Sequence, residues 1–226
     1  MLQDFGILIS EGRGKIGNVV ASRNPHGAYF REWVIPANPD TVAQQTARTR
    51  LQMVNSHWIG LNDDQRKAWF IMAPNYRRQN GMGDTYTPSG YHLHNRINMN
   101  LITFGFSFLD VPLMPIKVFS KPIQTLTYPD PTRGLRIRFA TFGGSPANVG
   151  IFATAPQSAG VNFVKSEFRL LYTTPSVDGN QYFPNRPYVA KFGIPPTGSK
   201  VFFHLRWLMP STGQTVTGNK ASIIIP

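Results

Sequence analysis

The hydrophobic period of this chain changes part-way along it. Ala47, Leu51, Val54, Trp58 and Leu61 recur at spacings of four, three, four and three, which is one stripe along an α-helix. Beyond residue 122 the pattern becomes short alternating runs: Ile123–Leu126, Leu135-Ile137-Phe139, Val149-Ile151-Ala153, Phe168–Leu170, Val189–Phe192, Val201–Trp207 and Ala221–Ile225. A period of two is that of a strand whose faces point to core and solvent. One uniform architecture cannot satisfy both periods, so the expectation is an α+β chain with its helices first and its strands last. Turn residues separate the runs: Tyr128-Pro129-Asp130, Gly143-Gly144-Ser145-Pro146, Asp178-Gly179-Asn180, Pro195-Pro196-Thr197-Gly198 and Ser211-Thr212-Gly213. About seven strands in roughly a hundred residues predict an antiparallel β-sandwich, immunoglobulin- or fibronectin-like.

The earlier half subdivides. Ile16, Val19 and Val20, then Tyr29, Phe30, Trp33, Val34 and Ile35, flank Asn24-Pro25-His26-Gly27, which predicts a β-hairpin. Pro39 suits a first helical turn with Asn38 as its N-cap, and Gly60 suits its stop. Asn62 with Gln65 reads as a capping box opening a second helix, with Ala68, Trp69 and Met72 inward and Pro74 ending it. Gln79 to Gly83 reads as a loop, and a third short helix follows Pro88 through Tyr91, Ile97 and Leu101. The Pro-rich stretch before residue 123 reads as a linker. The expected organisation is therefore a hairpin and helical anchoring region over 1–111, a linker over 112–122 and a sandwich over 123–226.

Charge narrows the partners. Only 15% of residues are charged, and the net charge is +12. Residues 1–120 carry twelve Lys and Arg against eight Asp and Glu (+4), and residues 121–226 eleven against three (+8). A field of this sign favours nucleic acid, an anionic protein surface or a membrane face, and does not choose among them. Its cations are dispersed, with Arg66-Lys67 and Arg77-Arg78 the only basic doublets, so a folded basic surface is expected rather than a basic tail. There is no cysteine, hence no disulfide framework and no thiolate metal site. No apolar run reaches the eighteen residues a membrane helix needs, and the first ten residues lack a signal peptide's basic start. The expectation is a protein made in a cytoplasm that spans no membrane.

Motifs of chemistry are few. Gly12-Arg13-Gly14-Lys15-Ile16-Gly17 matches the spacing of a dinucleotide-binding turn, but that turn must open a helix. Here Asn18-Val19-Val20-Ala21-Ser22-Arg23 follows and Asn24-Pro25 closes it, so a glycine-punctuated strand bend is expected. His92 and His94 diverge by about 200° on the helix expected there. His26, His57 and His204 are scattered, with no carboxylate at a motif spacing from any of them. Asp63-Asp64 complements a helix start. No nucleophile elbow and no phosphate-binding loop is present. No catalytic residue, no metal ligand, no cofactor and no small-molecule substrate is assigned, and an enzyme is not expected.

Basic and aromatic residues do interleave. Arg136 and Arg138 share one face of an expected strand. Lys200, Phe202, His204 and Arg206 share one face of another, with Phe203, Leu205 and Trp207 on the buried side. The plainer expectation for these basic faces is a solvated outer surface of the sandwich; the sharper one is contact with phosphates or acidic protein. With Arg13, Lys15, Tyr29, Phe30 and Trp33 of the hairpin, Arg136, Arg138, Lys200 and Arg206 form the candidate partner interface.

The run Gly14-Lys15-Ile16-Gly17-Asn18-Val19-Val20-Ala21-Ser22-Arg23-Asn24 resembles the opening of a family of uncharacterised phage and prophage proteins. In order after it come Pro36-Ala37-Asn38-Pro39, Ala43-Gln44-Gln45 with Ala47-Arg48, then Trp58, Leu61 and Asp64-Gln65-Arg66-Lys67-Ala68-Trp69. Ala153-Thr154-Ala155-Pro156-Gln157-Ser158-Ala159-Gly160 and Phe168-Arg169-Leu170 resemble the sandwich half of such proteins. The resemblance covers most of the chain and implies a virion or virion-assembly setting. Its partners would be other virion proteins, in an oligomer or larger assembly. The expected function is a non-enzymatic capsid- or tail-associated structural protein; the alternative is a basic protein bound to the phage genome.

Overall fold

The computed structural model describes residues 14–24, 27–79, 83–117, 122–128, 134–139, 148–175 and 181–226. Its architecture mixes helices with several antiparallel sheets. By residue contacts the chain forms two compact units, Met1–Gln45 and Thr46–Pro226.

In the smaller unit β1 (Gly14–Ile16), β2 (Val19–Asn24) and β3 (Gly27–Glu32) form an antiparallel three-stranded sheet. Gly17 turns β1 into β2 with φ of 60°, a conformation that glycine adopts without a Cβ penalty. The expected hairpin is β2–β3, in register from Val19 opposite Glu32 to Asn24 opposite Gly27; its Pro25-His26 tip lies outside the described residues. Gly12 and Arg13 of the glycine motif lie outside the described residues; from Gly14 on it builds a strand and a tight turn, and the next described helix begins only at Val42.

Helix α1 (Val42–Gly60) starts later than Asn38 and Pro39 suggest. Thr41 is the cap: its Oγ1 accepts from Gln44 N at 3.3 Å, and Gln44 Oε1 accepts from Thr41 N at 3.1 Å. That reciprocal pair satisfies two otherwise orphaned donors. The expected inward stripe is also only half realised, since Val54 is buried while Ala47 and Leu51 are exposed. Helix α2 (Asp63–Met72) opens on the expected Asn62–Gln65 capping box, at 2.8 and 2.9 Å, and buries Trp69. Pro74 does not break the chain away; it continues as a 3₁₀ turn over Ala73–Tyr76. The expected loop after it is flanked by a two-residue pair, β4 (Arg78–Gln79) and β5 (Thr85–Tyr86). Helix α3 (Gly90–Thr103), capped by Ser89, then buries Leu93, His94, Ile97, Asn98 and Leu101.

The strands follow as β6 (Ile123–Thr127), β7 (Arg136–Phe139), β8 (Asn148–Ala153), β9 (Arg169–Pro175), β10 (Gln181–Tyr182), β11 (Lys200–Leu208) and β12 (Thr215–Ile224). They make two antiparallel sheets, ordered β10-β7-β6 and β12-β11-β8-β9. One core takes Ile123 and Ile137 from the first, Leu135 from just before β7, and Val149, Ile151, Val201, Phe203, Leu205 and Trp207 from the second. Residues 189–192, expected as a strand, lie instead in helix α4 (Asn185–Phe192). The reason is Tyr188: the turn of helix buries it completely in that core, where its hydroxyl donates to Thr154 O at 3.2 Å.

Residues 112–122 do not divide the chain as a linker would. Tyr76 donates to Leu113 O (2.8 Å), Ile116 N to Gln214 Oε1 (2.9 Å), and Ile123 N to Asn219 Oδ1 (2.7 Å). Leu208 of β11 belongs to the helical core of Trp69, Leu93, Ile97 and Leu101. Gly213 (φ 62°) lets the β11–β12 turn lie on α3, because a Cβ there would meet Ile97 at 2.5 Å. Helices and strands therefore share the unit Thr46–Pro226, and the division falls at residue 45.

Candidate partner interface

Of the residues assigned from sequence, Arg13 lies outside the described residues. In the smaller unit Lys15 holds its ammonium 3.3 Å from the centroid of the Trp33 ring. Tyr29 and Phe30 are half-buried on β3, with Phe30 opposite the buried Ala21. Beyond β3 the chain is exposed and apolar: Trp33, Val34 and Ile35 show 41%, 61% and 72% of their surface.

In the larger unit Arg136 and Arg138 share a face of β7, as alternation requires, with Ile137 buried between them. Arg136 lies over Phe183 at 5.7 Å and Arg138 is exposed. On β11 the inward residues are buried as expected. Its outer face is not the solvated surface expected, since Phe202 and His204 are buried as well.

Aromatic groups cover that outer face. The chain after β8 bridges to β11 through Gln157 and Lys200, with backbone hydrogen bonds of 2.9 and 2.8 Å, and returns across the sheet. Phe152 stacks on His204 at 4.7 Å and Phe168 meets it edge-on at 4.5 Å. Three cations cap this layer. Arg206 lies 4.9 Å from Phe152, Lys200 5.5 Å from Phe202, and Lys220 4.6 Å from Phe163 and 5.3 Å from Phe168. The Lys220 ammonium also donates to Val164 O at 2.9 Å. Each cation gains from the negative face of a ring. Burial, with Arg206 and Lys220 adding to it against the opposing Leu205 backbone, lowers the His204 pKa to about 4. The imidazole between the rings is therefore neutral at pH 7. Lys220 was legible only in register: it stands opposite His204 on β12.

A second cluster was missed altogether. His57, which has no carboxylate at a motif spacing, places Nε2 2.9 Å from Asp110 Oδ1. Its Nδ1 is 3.0 Å from Nε2 of the buried His94. Fifty-three positions separate His57 from Asp110, so no local spacing announces the pair. Phe108 and Trp58 pack against the two imidazoles, while the Trp69 indole donates to Asp110 O at 2.7 Å. Burial lowers the His94 pKa to about 4, with the charge of His57 adding to the fall and Asn95 and Asp110 opposing it.

Among the described residues no group of three His, Cys, Asp or Glu side chains is arranged to hold a metal ion. No described helix is long and apolar enough to cross a membrane. Comparison of the chain with protein-family models, with curated proteins and with solved structures finds no match.

Proposed function

We propose that the protein is a non-enzymatic structural component of a bacteriophage particle, associated with capsid or tail and acting within an oligomer or larger assembly. The observation that carries this reading is the apolar surface at the N-terminal side. Val34, Ile35 and Val42 are 61–77% exposed, and α1 buries only Val54 of its nineteen residues. Large apolar side chains left exposed in this way suit an interface with protein. We read the strand region as an immunoglobulin- or fibronectin-like sandwich: the orders β10-β7-β6 and β12-β11-β8-β9 match the division of such a fold into two antiparallel sheets over one core.

A second reading has its own support. Among the described residues of 123–226, nine Lys and Arg face one carboxylate, Glu167. Lys200 and Arg206 on the sheet and Arg138 on β7 make no ion pair among the described residues. A nucleic acid on such a surface would bind with steep salt dependence. Sedimentation of the purified chain, alone and with particle components at moderate salt, separates the two readings. The first expects self-association or capture of a virion protein, and mass spectrometry of purified particles should find the chain. A monomer that ignores particle proteins yet shifts DNA, losing it steeply between low and physiological salt, would promote the second reading over the first.

A further inference from the structure

The row Asp110–His57–His94–Asn95–Asn55–Tyr91 fastens α1 to α3 and to the chain after it, and its protons can be counted. At the α3 end, Tyr91 Oη donates to Asn55 Oδ1 at 2.9 Å, and Asn95 Nδ2 donates to the same oxygen at 3.2 Å. With its amide so turned, Asn95 presents Oδ1 to His94 Nδ1 at 3.2 Å, and an oxygen there can only accept. At the other end the Asp110 carboxylate can only accept from His57 Nε2. Between them His57 Nδ1 and His94 Nε2, 3.0 Å apart, need a proton of their own. Three contacts require three ring protons, and two neutral imidazoles carry two.

We propose that this row is a proton-gated fastening of α1, closed when the two imidazoles together hold three ring protons and slackened when they hold two. The geometry says which ring takes the third. His94 is wholly buried between Trp58 and Trp69, so it stays neutral and accepts at Nε2, and the imidazolium is His57, beside the carboxylate. The low His94 pKa agrees with that assignment. The charged groups facing the row are few. Asp110 comes from the chain after α3. From α2 Arg66 donates to the carbonyls of Trp58 and Ile59 and pairs with Asp63 at 3.4 Å. His94 and the neutral Tyr91 come from α3. When His57 gives its extra proton to water, one of the three contacts sets lone pair against lone pair. The loss falls on the last turns of α1, where His57 lies.

Long-range nitrogen–proton NMR of the imidazoles tests this in the intact chain, because it counts protonated ring nitrogens directly. Across a pH series a single step from three to two is expected for His57 and His94, with a fall of about tenfold in amide protection over the end of α1, as loss of one charge-assisted hydrogen bond of ~1.4 kcal/mol implies. In His57→Gln the side chain supplies a fixed donor and a fixed acceptor, so that pH response should vanish. Two ring protons throughout, which would mean that both asparagine amides are turned end for end, would overturn the proposal. So would an unchanged pH response in His57→Gln. Should that variant not fold, the proton count in the unaltered chain still decides.

Discussion

Strands β1 to β3 and strand β11 use their side chains in opposite ways. Among the described side chains of the three N-terminal strands only Ala21 is buried, although β-formers such as Val19, Val20, Tyr29 and Phe30 are plentiful there. The single strand β11 buries seven of its nine residues. Two-period alternation is present in both regions, so alternation alone does not make a core. What differs is cover. Strand β11 is flanked by β8 and β12, faces the second sheet across its inner side, and carries the Phe152–Phe168 layer on its outer side. A three-stranded sheet with one buried alanine has little to hold it, since small isolated sheets are marginal in water. The larger unit should carry nearly all of the stability, while in the smaller one the apolar side chains stay largely unspent.

The sharpest way to break that contrast is to cut one side chain from each. Leu205, wholly buried in the core of the larger unit, should cost ~2–5 kcal/mol as Leu205→Ala, through lost transfer energy plus a cavity that surrounding strands cannot close. Phe30→Ala, in the half-buried hairpin, should move the midpoint of the main urea transition by less than ~1 kcal/mol. Equal losses for the two variants would show that the hairpin belongs to the same cooperative unit, and the contrast would fail.

Acid should separate the regions again. His94 and His204 both lie in the larger unit, and burial lowers each to about 4 from an ordinary 6.5. Between those values the unfolded chain binds protons that the folded chain refuses. Their contribution to stability is therefore complete above about pH 6.5 and is lost as pH falls toward 4. For imidazoles so fully enclosed the loss is on the order of 2–3 kcal/mol each at most. Urea unfolding at pH 7 and pH 4.5 measures it. The His204→Phe variant, which keeps a ring between Phe152 and Phe168, should flatten part of the slope. A main transition unmoved between the two pH values would contradict the burial of both rings.

These two histidines also show where sequence reading stops. The capping box of α2, the glycine stop of α1, the turn at Gly17 and the inward face of β11 were legible because each rests on residues within one or two turns of chain. The α4 helix was not. Its Val189-Ala190-Lys191-Phe192 run satisfies a strand pattern as well as a helical one, and the choice is made by Tyr188 reaching the core and Thr154 O, thirty-four positions away. The boundary at residue 45 was hidden for a similar reason: the Pro-rich stretch reads as a linker until Tyr76 and Gln214 are seen to hold it. Of the candidate interface, the face of β11 could be named in advance. The aromatic layer over it could not, because Phe163 and Phe168 approach from outside any strand pairing with β11.

The smallest effect is expected where the smaller unit makes its own side-chain contact. Lys15 sits on the face of Trp33, and the ring is 41% exposed, so water competes for the ammonium. At such sites the cation–π attraction is worth ~0.5–1 kcal/mol. Lys15→Gln keeps the polar stem and removes the charge. Local opening of β1 and β2, followed by amide exchange, should then rise about two- to five-fold, while the melting of Thr46–Pro226 stays where it was. Raising salt should do little to the contact, because a cation seated on a ring at this distance is screened far less than one separated from its partner by solvent. If Lys15→Gln instead lowered the main melting transition by several degrees, the hairpin would be holding the larger unit together.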